Sequence, residues 1–419
     1  MRIVALDVGS SSVRAIAYGQ DGTAEPGDAH LNYDTLDPDE LVAACRAVLA
    51  QVGEGDSTAI SCFWHSLVAL DEHDRPASPV LTWRDAEGDP PVLDPAEYHR
   101  RTGCFLHPSF WPAKLAGLSA ARYVSFADYL LLCLTGELVT SVSMASGTGV
   151  FDPNRLDWDA ETLAAVRVDV SQLPTVSEEQ VAGVWPALGD GACSNVGAGC
   201  VVRGRAAVTI GTSAAGRVVY EAPSAEPKHG LFLYRLDTRR YCEGGALSDG
   251  GNLHAWLEHT LRDAEPTDEP AHGLSFLPFL GGERSLGWDP HRRGLLSGLT
   301  FETSPGEIAQ AALEGVVYRL ADVLDAIGGI ESVVATGHAL LANGYWLQAL
   351  ADVLGRPVEV SGEPEGSARG AAVVALERLG VSVPPAPVKQ VIEPRLERFE
   401  IHLAAREEQR RLMRSQEAR

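Results

Sequence analysis

Basic residues are scarce in this 419-residue chain: 34 Lys and Arg stand against 57 Asp and Glu, a formal net charge of −23. Nucleic-acid backbones are held by Lys/Arg surfaces, and no basic cluster occurs before the C-terminal tail, so a nucleic-acid partner is excluded and a small-molecule ligand is expected. Long apolar runs are also missing. Nothing approaches the roughly 18 to 20 apolar residues of a membrane span, which excludes membrane insertion by a helix. Met1-Arg2 leads straight into an apolar strand without the charged-then-apolar layout of a secretory signal, so a cytoplasmic setting is expected. The seven cysteines are odd in number and scattered, with no C-x-x-C pair. That excludes a disulfide framework and a structural zinc, and leaves reduced, mostly buried thiols.

What the chain does contain is one piece of grammar written twice. Ile3 to Ala17 reads as an apolar strand, a Gly/Ser turn (Gly9-Ser10-Ser11-Ser12) and a second strand; Ala206 to Val219 repeats it around Gly211-Thr212-Ser213. Glycine lets backbone approach a phosphate with no Cβ in the way, and successive amides and hydroxyls donate to its oxygens. Two such hairpins facing each other would make a phosphate clamp. At matching positions the first copy carries a carboxylate, Asp7, and the second a hydroxyl, Thr209, which suits one lobe handling a metal while the other holds phosphate oxygens. Taken singly, each copy could be an ordinary surface hairpin. The length supports two domains of about 200 residues each, as the repeat does.

The local signals describe an α/β protein. Strands are expected at Ile3–Leu6, Val13–Tyr18, Ala59–Trp64, Leu67–Asp71 and near Pro79–Trp83, with a helix between them capped by Asp37-Pro38. This β-β-α-β order is not that of a Rossmann domain. Ser125 and Asp128 read as a capping box for a helix ending at Gly136. Ser304 and Glu307 cap a long helix with an apolar stripe at 308, 312, 316, 320, 323, 324 and 327. A short strand from Ser332 leads to Thr336-Gly337, and helices follow around Trp346 and from Gly366. Residues 221–229 and 263–272 read as surface loops, and the Arg-rich tail from Leu396 as a solvated helix that frays.

Several segments in order resemble the FGGY family of carbohydrate kinases. Asp7-Val8-Gly9-Ser10-Ser11-Ser12-Val13-Arg14 is similar to its D-x-G-T-x-S-x-R/K phosphate loop, and Leu134-Thr135-Gly136 with Ser143 to Asp152 to its "LTG … S-x-A-S-x-T" segment. Leu188-Gly189-Asp190-Gly191-Ala192 resembles its catalytic segment. Gly282-Glu283-Arg284 with Trp288-Asp289 and Arg293-Gly294 resembles the "G-E-R-x-P-x-W-D-x-x-A-R-G" signature, and Glu365 to Ala372 the closing segment. The resemblance implies the two-lobed actin/hexokinase/Hsp70-like (ribonuclease H-like) α/β fold with a central cleft. Its N-terminal domain, residues 1–192, would bind sugar and carry the first phosphate loop. Its C-terminal domain, residues 193–419, would bind nucleotide.

It further implies ATP and Mg²⁺ as cofactors and a carbohydrate as the small-molecule partner, and it is compatible with a homodimer. Asp190 would be the general base that takes the proton of a sugar hydroxyl, and with Asp7 would lie near the metal. ATP and its phosphates would meet Asp7, Gly9, Ser10, Ser11, Ser12, Arg14, Gly211, Thr212, Ser213, Gly337, His338, Ala339 and Asn343. The substrate would meet Trp64, His65, Trp83, Arg84, Asp85, His107, Lys114 and Asp190, with Lys114, Arg84 or His107 as the cation a sugar acid requires. For the two tryptophans, core packing is an equal alternative. D-Gluconate is the first expected substrate and D-xylulose the second. Two departures from the family pattern, His338 in place of glycine and Glu87 in place of arginine, motivate a rival reading, a sugar- or nucleotide-binding regulatory protein with impaired catalysis.

Overall fold

Strand Arg2–Val8 is buried on both faces because helices cover both sides of its sheet. It pairs antiparallel with Ser12–Gly19 and parallel with Ser57–Cys62. The five-stranded sheet runs in the order Leu188–Gly189, Ser57–Cys62, Arg2–Val8, Ser12–Gly19, Ala29–Asn32. The computed structural model describes residues 1–417 except 84, 86–88, 263 and 264. Helix Pro38–Val52 starts as its sequence dictates: the Asp37 carboxylate accepts from the amides of Asp39 and Glu40, and the helix stops at Gly53. One strand was not anticipated and one expected strand is absent. Ala29–Asn32 is a strand that its polar, partly exposed residues hide, and Pro79–Trp83 is no strand but a single bridge between Leu67 and Leu81, since Pro79 has no N–H for a ladder.

The second lobe repeats the first. Its central strands run Arg240–Leu247, Ala214–Glu221, Arg205–Ile210, Ser332–Thr336, Val358–Ser361, the same third-second-first-fourth-fifth order, with Phe232–Arg235 and Val388–Ile392 added at the edges. Helix Pro305–Ile327 has the expected Ser304/Glu307 capping box. The single apolar stripe is a poor description of it, however, because it is buried almost all round from Ala309 to Leu324, including Gln310, Glu314, Arg319 and Asp322.

The reason is the C-terminal helix Leu396–Glu417, which corrects the expectation of a frayed, solvated tail. Arg406 Nε donates to Asp322 at 2.8 Å and Arg410 Nε to the same carboxylate at 3.0 Å. Gln409 Nε2 reaches the Phe276 carbonyl at 2.8 Å, and His402 Nδ1 lies 3.0 Å from the Tyr318 hydroxyl. A charged composition here conceals an interface made of ion pairs.

The two lobes meet through the helices that follow each sheet's fifth strand, Asp190–Gly197 and Gly366–Arg378. They approach backbone to backbone. A Cβ on Gly197 would sit 1.9 Å from the Gly366 carbonyl oxygen, and one on Gly370 1.9 Å from that of Cys193. Arg369 pins the contact by donating to the carbonyls of Gly197 at 3.0 Å and Gly22 at 3.2 Å. The result is a two-lobed α/β fold with a central cleft, and among the described residues no helix is long and apolar enough to cross a membrane.

Candidate active site

The two Gly/Ser turns close alike. Gly9 N donates to Ser12 O at 2.9 Å in one lobe, and Gly211 N to Ser213 O at 2.9 Å in the other. The second turn is braced from behind, where Gly251 N donates to Gly211 O at 2.8 Å and Asn252 N to Thr212 O at 3.0 Å. Only glycine fits at 251, because a Cβ there would lie 2.5 Å from that Gly211 oxygen. Between the lobes lies a cavity of about 220 Å³ lined by Ser10 from the first turn, Gly211, Thr212 and Ser213 from the second, and Asp190. Trp64, His65 and Trp83 also line it. Ser10, Ser11, Thr212, Trp83 and Asp85 border an adjoining outer chamber of about 690 Å³.

Asp7 ends its strand beside Ser61, whose hydroxyl donates to Asp7 Oδ1 at 2.7 Å. Removal from bulk water pushes the Asp7 carboxyl up to about 6, the Ser61 bond opposes this, and the nearby Asp190 charge adds to it. Asp190 is the first residue of its helix, and its Oδ1 accepts from the Gly191 amide at 2.7 Å. A helix N-terminus favours the ionised carboxylate at this position. Burial outweighs it: the carboxyl is raised above its ordinary value against the pull of Arg217, the Gly191 amide and Arg284. A carboxylate of raised proton affinity is better suited to accept a proton. Among the described residues no group of three or more His, Cys, Asp or Glu could hold a metal ion. Asp7 and Asp190 together offer two hard oxygen donors, the charge of Asp190 raising the proton affinity of Asp7, a set that fits Mg²⁺, which takes its other ligands from phosphates and water.

The aromatic wall is built on glycines. A Cβ on Gly189 would fall 1.8 Å from the Trp64 ring and one on Gly147 2.5 Å from it, so both positions are small to admit the indole. Trp64 Nε1 donates to Ser143 O at 3.0 Å. This tryptophan is at once part of the core and part of the cleft lining. His65 sits in the left-handed region (φ 68°), a conformation rarely kept without a use. Its Nδ1 is 2.7 Å from the Gly147 carbonyl, which can only accept. Burial holds its pKa well below the ordinary value, so the ring is neutral, protonated on Nδ1, with an acceptor at Nε2.

Other expected site residues are placed less directly. The Asp85 carboxylate accepts from the Thr82 amide at 2.5 Å and hydroxyl at 2.8 Å. Arg84 and Glu87 lie outside the described residues. Lys114 Nζ donates to the carbonyls of His65 at 3.1 Å and Ser109 at 2.9 Å, and burial brings it down to about 7. His107 bonds the Ser109 hydroxyl at 2.9 Å and is lowered to about 3 by burial. Both stand behind His65 and do not line the cavity. Arg14 faces Asp7 across the hairpin and forms an ion pair with Glu365. Gly337, His338, Ala339 and Asn343 lie beside the second turn but outside the cavity. His338 is exposed, and Asn343 Oδ1 caps the helix Gly344–Leu354 by accepting from Trp346 N at 3.0 Å.

The two cations that line the cavity, Arg217 and Arg284, were not among the expected site residues. Arg217 is the single charge inside the apolar run Ala214 to Tyr220, a signal in plain view. Arg284 is buried between Trp83 and Trp288, its guanidinium carbon 5.3 and 5.8 Å from their ring centres. Burial lowers it to about 10.

Residues 112–188 match the FGGY family of carbohydrate kinases, N-terminal domain, and residues 206–377 match its C-terminal domain. The chain is 31% identical to a xylulose kinase of Streptomyces coelicolor, covering 88% of this chain and 84% of that one. It is 28% identical to a gluconokinase of Bacillus subtilis, covering 90% and 88%. The fold is similar to that of a ligand-bound xylulose kinase from Lactobacillus acidophilus, with a TM-score of 0.88 at 24% identity, over 99% of this chain and 98% of the other.

Proposed function

Because the chain belongs to the FGGY family of carbohydrate kinases, related to its gluconokinase and xylulokinase branch, we propose that it transfers the γ-phosphoryl group of ATP to a hydroxyl of a sugar acid or ketose. D-Gluconate is the preferred candidate and D-xylulose the next. The observation that carries this reading is the cleft cavity in which Ser10 of one turn and Gly211 to Ser213 of the other flank Asp190.

In this reading residues 1–192 bear the sugar wall and first phosphate turn, and residues 193–419 the nucleotide side. The sugar lies against Trp64, His65 and Trp83, its hydroxyls donating to the neutral His65 Nε2 and its C–H face covered by indole. Asp190 takes the proton of the attacking hydroxyl as the new O–P bond forms and the bond from the γ-phosphorus to the β,γ-bridging oxygen breaks, releasing ADP. The turn amides, with Ser10, Thr212 and Ser213, donate to the phosphoryl oxygens. Asp7 and Asp190 would hold Mg²⁺, which neutralises phosphate charge when bound. Closure of the lobes excludes the water that would otherwise hydrolyse ATP.

The test is ADP release by the purified protein with Mg·ATP and a panel of gluconate, xylulose, ribulose and glycerol, beside Asp190→Asn. One sugar should stimulate ADP release, and the variant should lose at least about 10³-fold in kcat. No stimulation by any sugar, or equal rates in the variant, would refute the reading.

A further inference from the structure

Buried arginines elsewhere in this protein are paired. Arg235 donates to Pro153 O at 2.7 Å and to the Tyr241 hydroxyl at 2.6 Å, Arg240 holds Asp237 and Glu377, and Arg319 holds Glu283 and Asp322. This is what physics requires, since an unpaired guanidinium in a low-dielectric interior forfeits its hydration. Arg284 breaks the pattern. It is 7% exposed, its Nε is buried without a hydrogen-bond partner, and no carboxylate among the described residues lies within ion-pair distance. Arg217 repeats the exception on the same lobe, with a buried Nε lacking a partner and no ion pair among the described residues. Both line the same cavity as Asp190.

The positions point to the sugar end of that cavity. Arg284 lies over the Trp83 ring, and its charge is felt by His65, which lines the cavity, and by His107 and Lys114 behind it. Gly191 is glycine because a Cβ would fall 2.8 Å from the Arg217 guanidinium carbon, so the fork sits directly beside the helix that begins with Asp190. A guanidinium presents a planar fork of N–H donors, the shape that grips a carboxylate through two parallel bonds. One carboxylate, Asp190, faces two such forks and has another task under the reading above.

We infer that Arg284 and Arg217 form a carboxylate-binding subsite and that the substrate this cleft selects is a sugar acid, an aldonate whose carboxylate docks on the two forks while its far hydroxyl faces Asp190. This rests on the kinase reading. It replaces Lys114 and His107, turned to backbone and to Ser109, as the source of the cation such a substrate needs.

The experiment compares kcat/KM for D-gluconate with that for the uncharged D-xylulose in the wild type, Arg284→Gln, Arg284→Lys and Arg217→Gln, with gluconate binding in the absence of ATP followed by calorimetry. The gluconate-to-xylulose ratio should exceed one in the wild type and fall about 50-fold in Arg284→Gln and about 10-fold in Arg217→Gln, with Arg284→Lys between wild type and Arg284→Gln. Calorimetric gluconate affinity should fall in parallel. A purely structural role lowers both sugars together and leaves the ratio in place, which overturns the inference. So does a rise in KM for ATP with gluconate binding unchanged, which would mean that the forks serve phosphate. Turnover of xylulose without any of gluconate sinks the subsite and spares the kinase reading. Absence of turnover with every sugar sinks the kinase reading, and gluconate binding that is equal in all four proteins then sinks the subsite as well.

Discussion

Asp7 and Thr209 occupy equivalent places in the two lobes, each next to last or nearly so in the first strand of its sheet, before a Gly/Ser turn. Each is paired on its parallel side with a residue bearing a hydroxyl: Asp7 opposite Ser61, and Thr209 opposite Thr336. In the first lobe that hydroxyl serves a carboxylate at 2.7 Å, and in the second it meets another hydroxyl at 2.7 Å. One scaffold therefore carries two electrostatic designs. The first lobe concentrates negative charge, Asp7 with Asp190 nearby, where a divalent cation would be held. The second is neutral at the same spot, with a pair of hydroxyls in place of the carboxylate.

Erasing the difference should have the largest effect. Asp7→Thr gives the first lobe the second lobe's chemistry and should lower kcat by about 10³-fold with the circular-dichroism spectrum unchanged, since a charged ligand is lost and a similar volume retained. A rate within tenfold of wild type would mean that the asymmetry has no catalytic use.

Stability gives a smaller, pH-dependent contrast. The folded Asp7 carboxyl titrates near 6 against an ordinary 3.8, so the folded state binds more protons between those values, and this contribution to stability is present below about pH 4 and lost as pH rises through 6. In Mg²⁺-free buffer Asp7→Asn should therefore exceed wild type by about 2 kcal/mol at pH 8 and by little at pH 4, read from urea unfolding. Thr209→Val should show no such pH dependence.

The smallest effect separates the two hydroxyls. Ser61→Ala removes the bond that lowers the Asp7 pKa, so the acid limb of kcat/KM should move to higher pH by less than about one unit, whereas Thr336→Ala should not move it. Equal shifts in both variants would show that the limb belongs to another group.

Features written in contiguous residues were legible before any coordinates. The two turns, the Asp37 and Ser304 caps and the strand pair around the first turn all depend on neighbours within a few positions. Asp190 was legible only through its resemblance to a family segment, because an Asp before a short Gly/Ala helix is locally ordinary. Arg217 and Arg284 were passed over because their meaning arises only when segments 67 residues apart in the chain close on Trp83 and Asp190. The tail misled for a related reason: its arginines look solvated until Asp322, more than 80 positions earlier, is brought beneath them.

The glycine seam between the helices Asp190–Gly197 and Gly366–Arg378 has a consequence for the width of the cleft. Each helix begins at the cavity, one with Asp190 and the other with Ser367 in its first turn, and the Ser367 hydroxyl lies 3.4 Å from the Asp190 carbonyl. With main chain resting on main chain and Arg369 and Ser367 pinned to backbone carbonyls across the contact, the thickness of the seam acts as a gauge block for the jaws. A single methyl at Gly197 or Gly370 would wedge the rods apart and reset the gap at the cavity that Asp190 and Ser367 line.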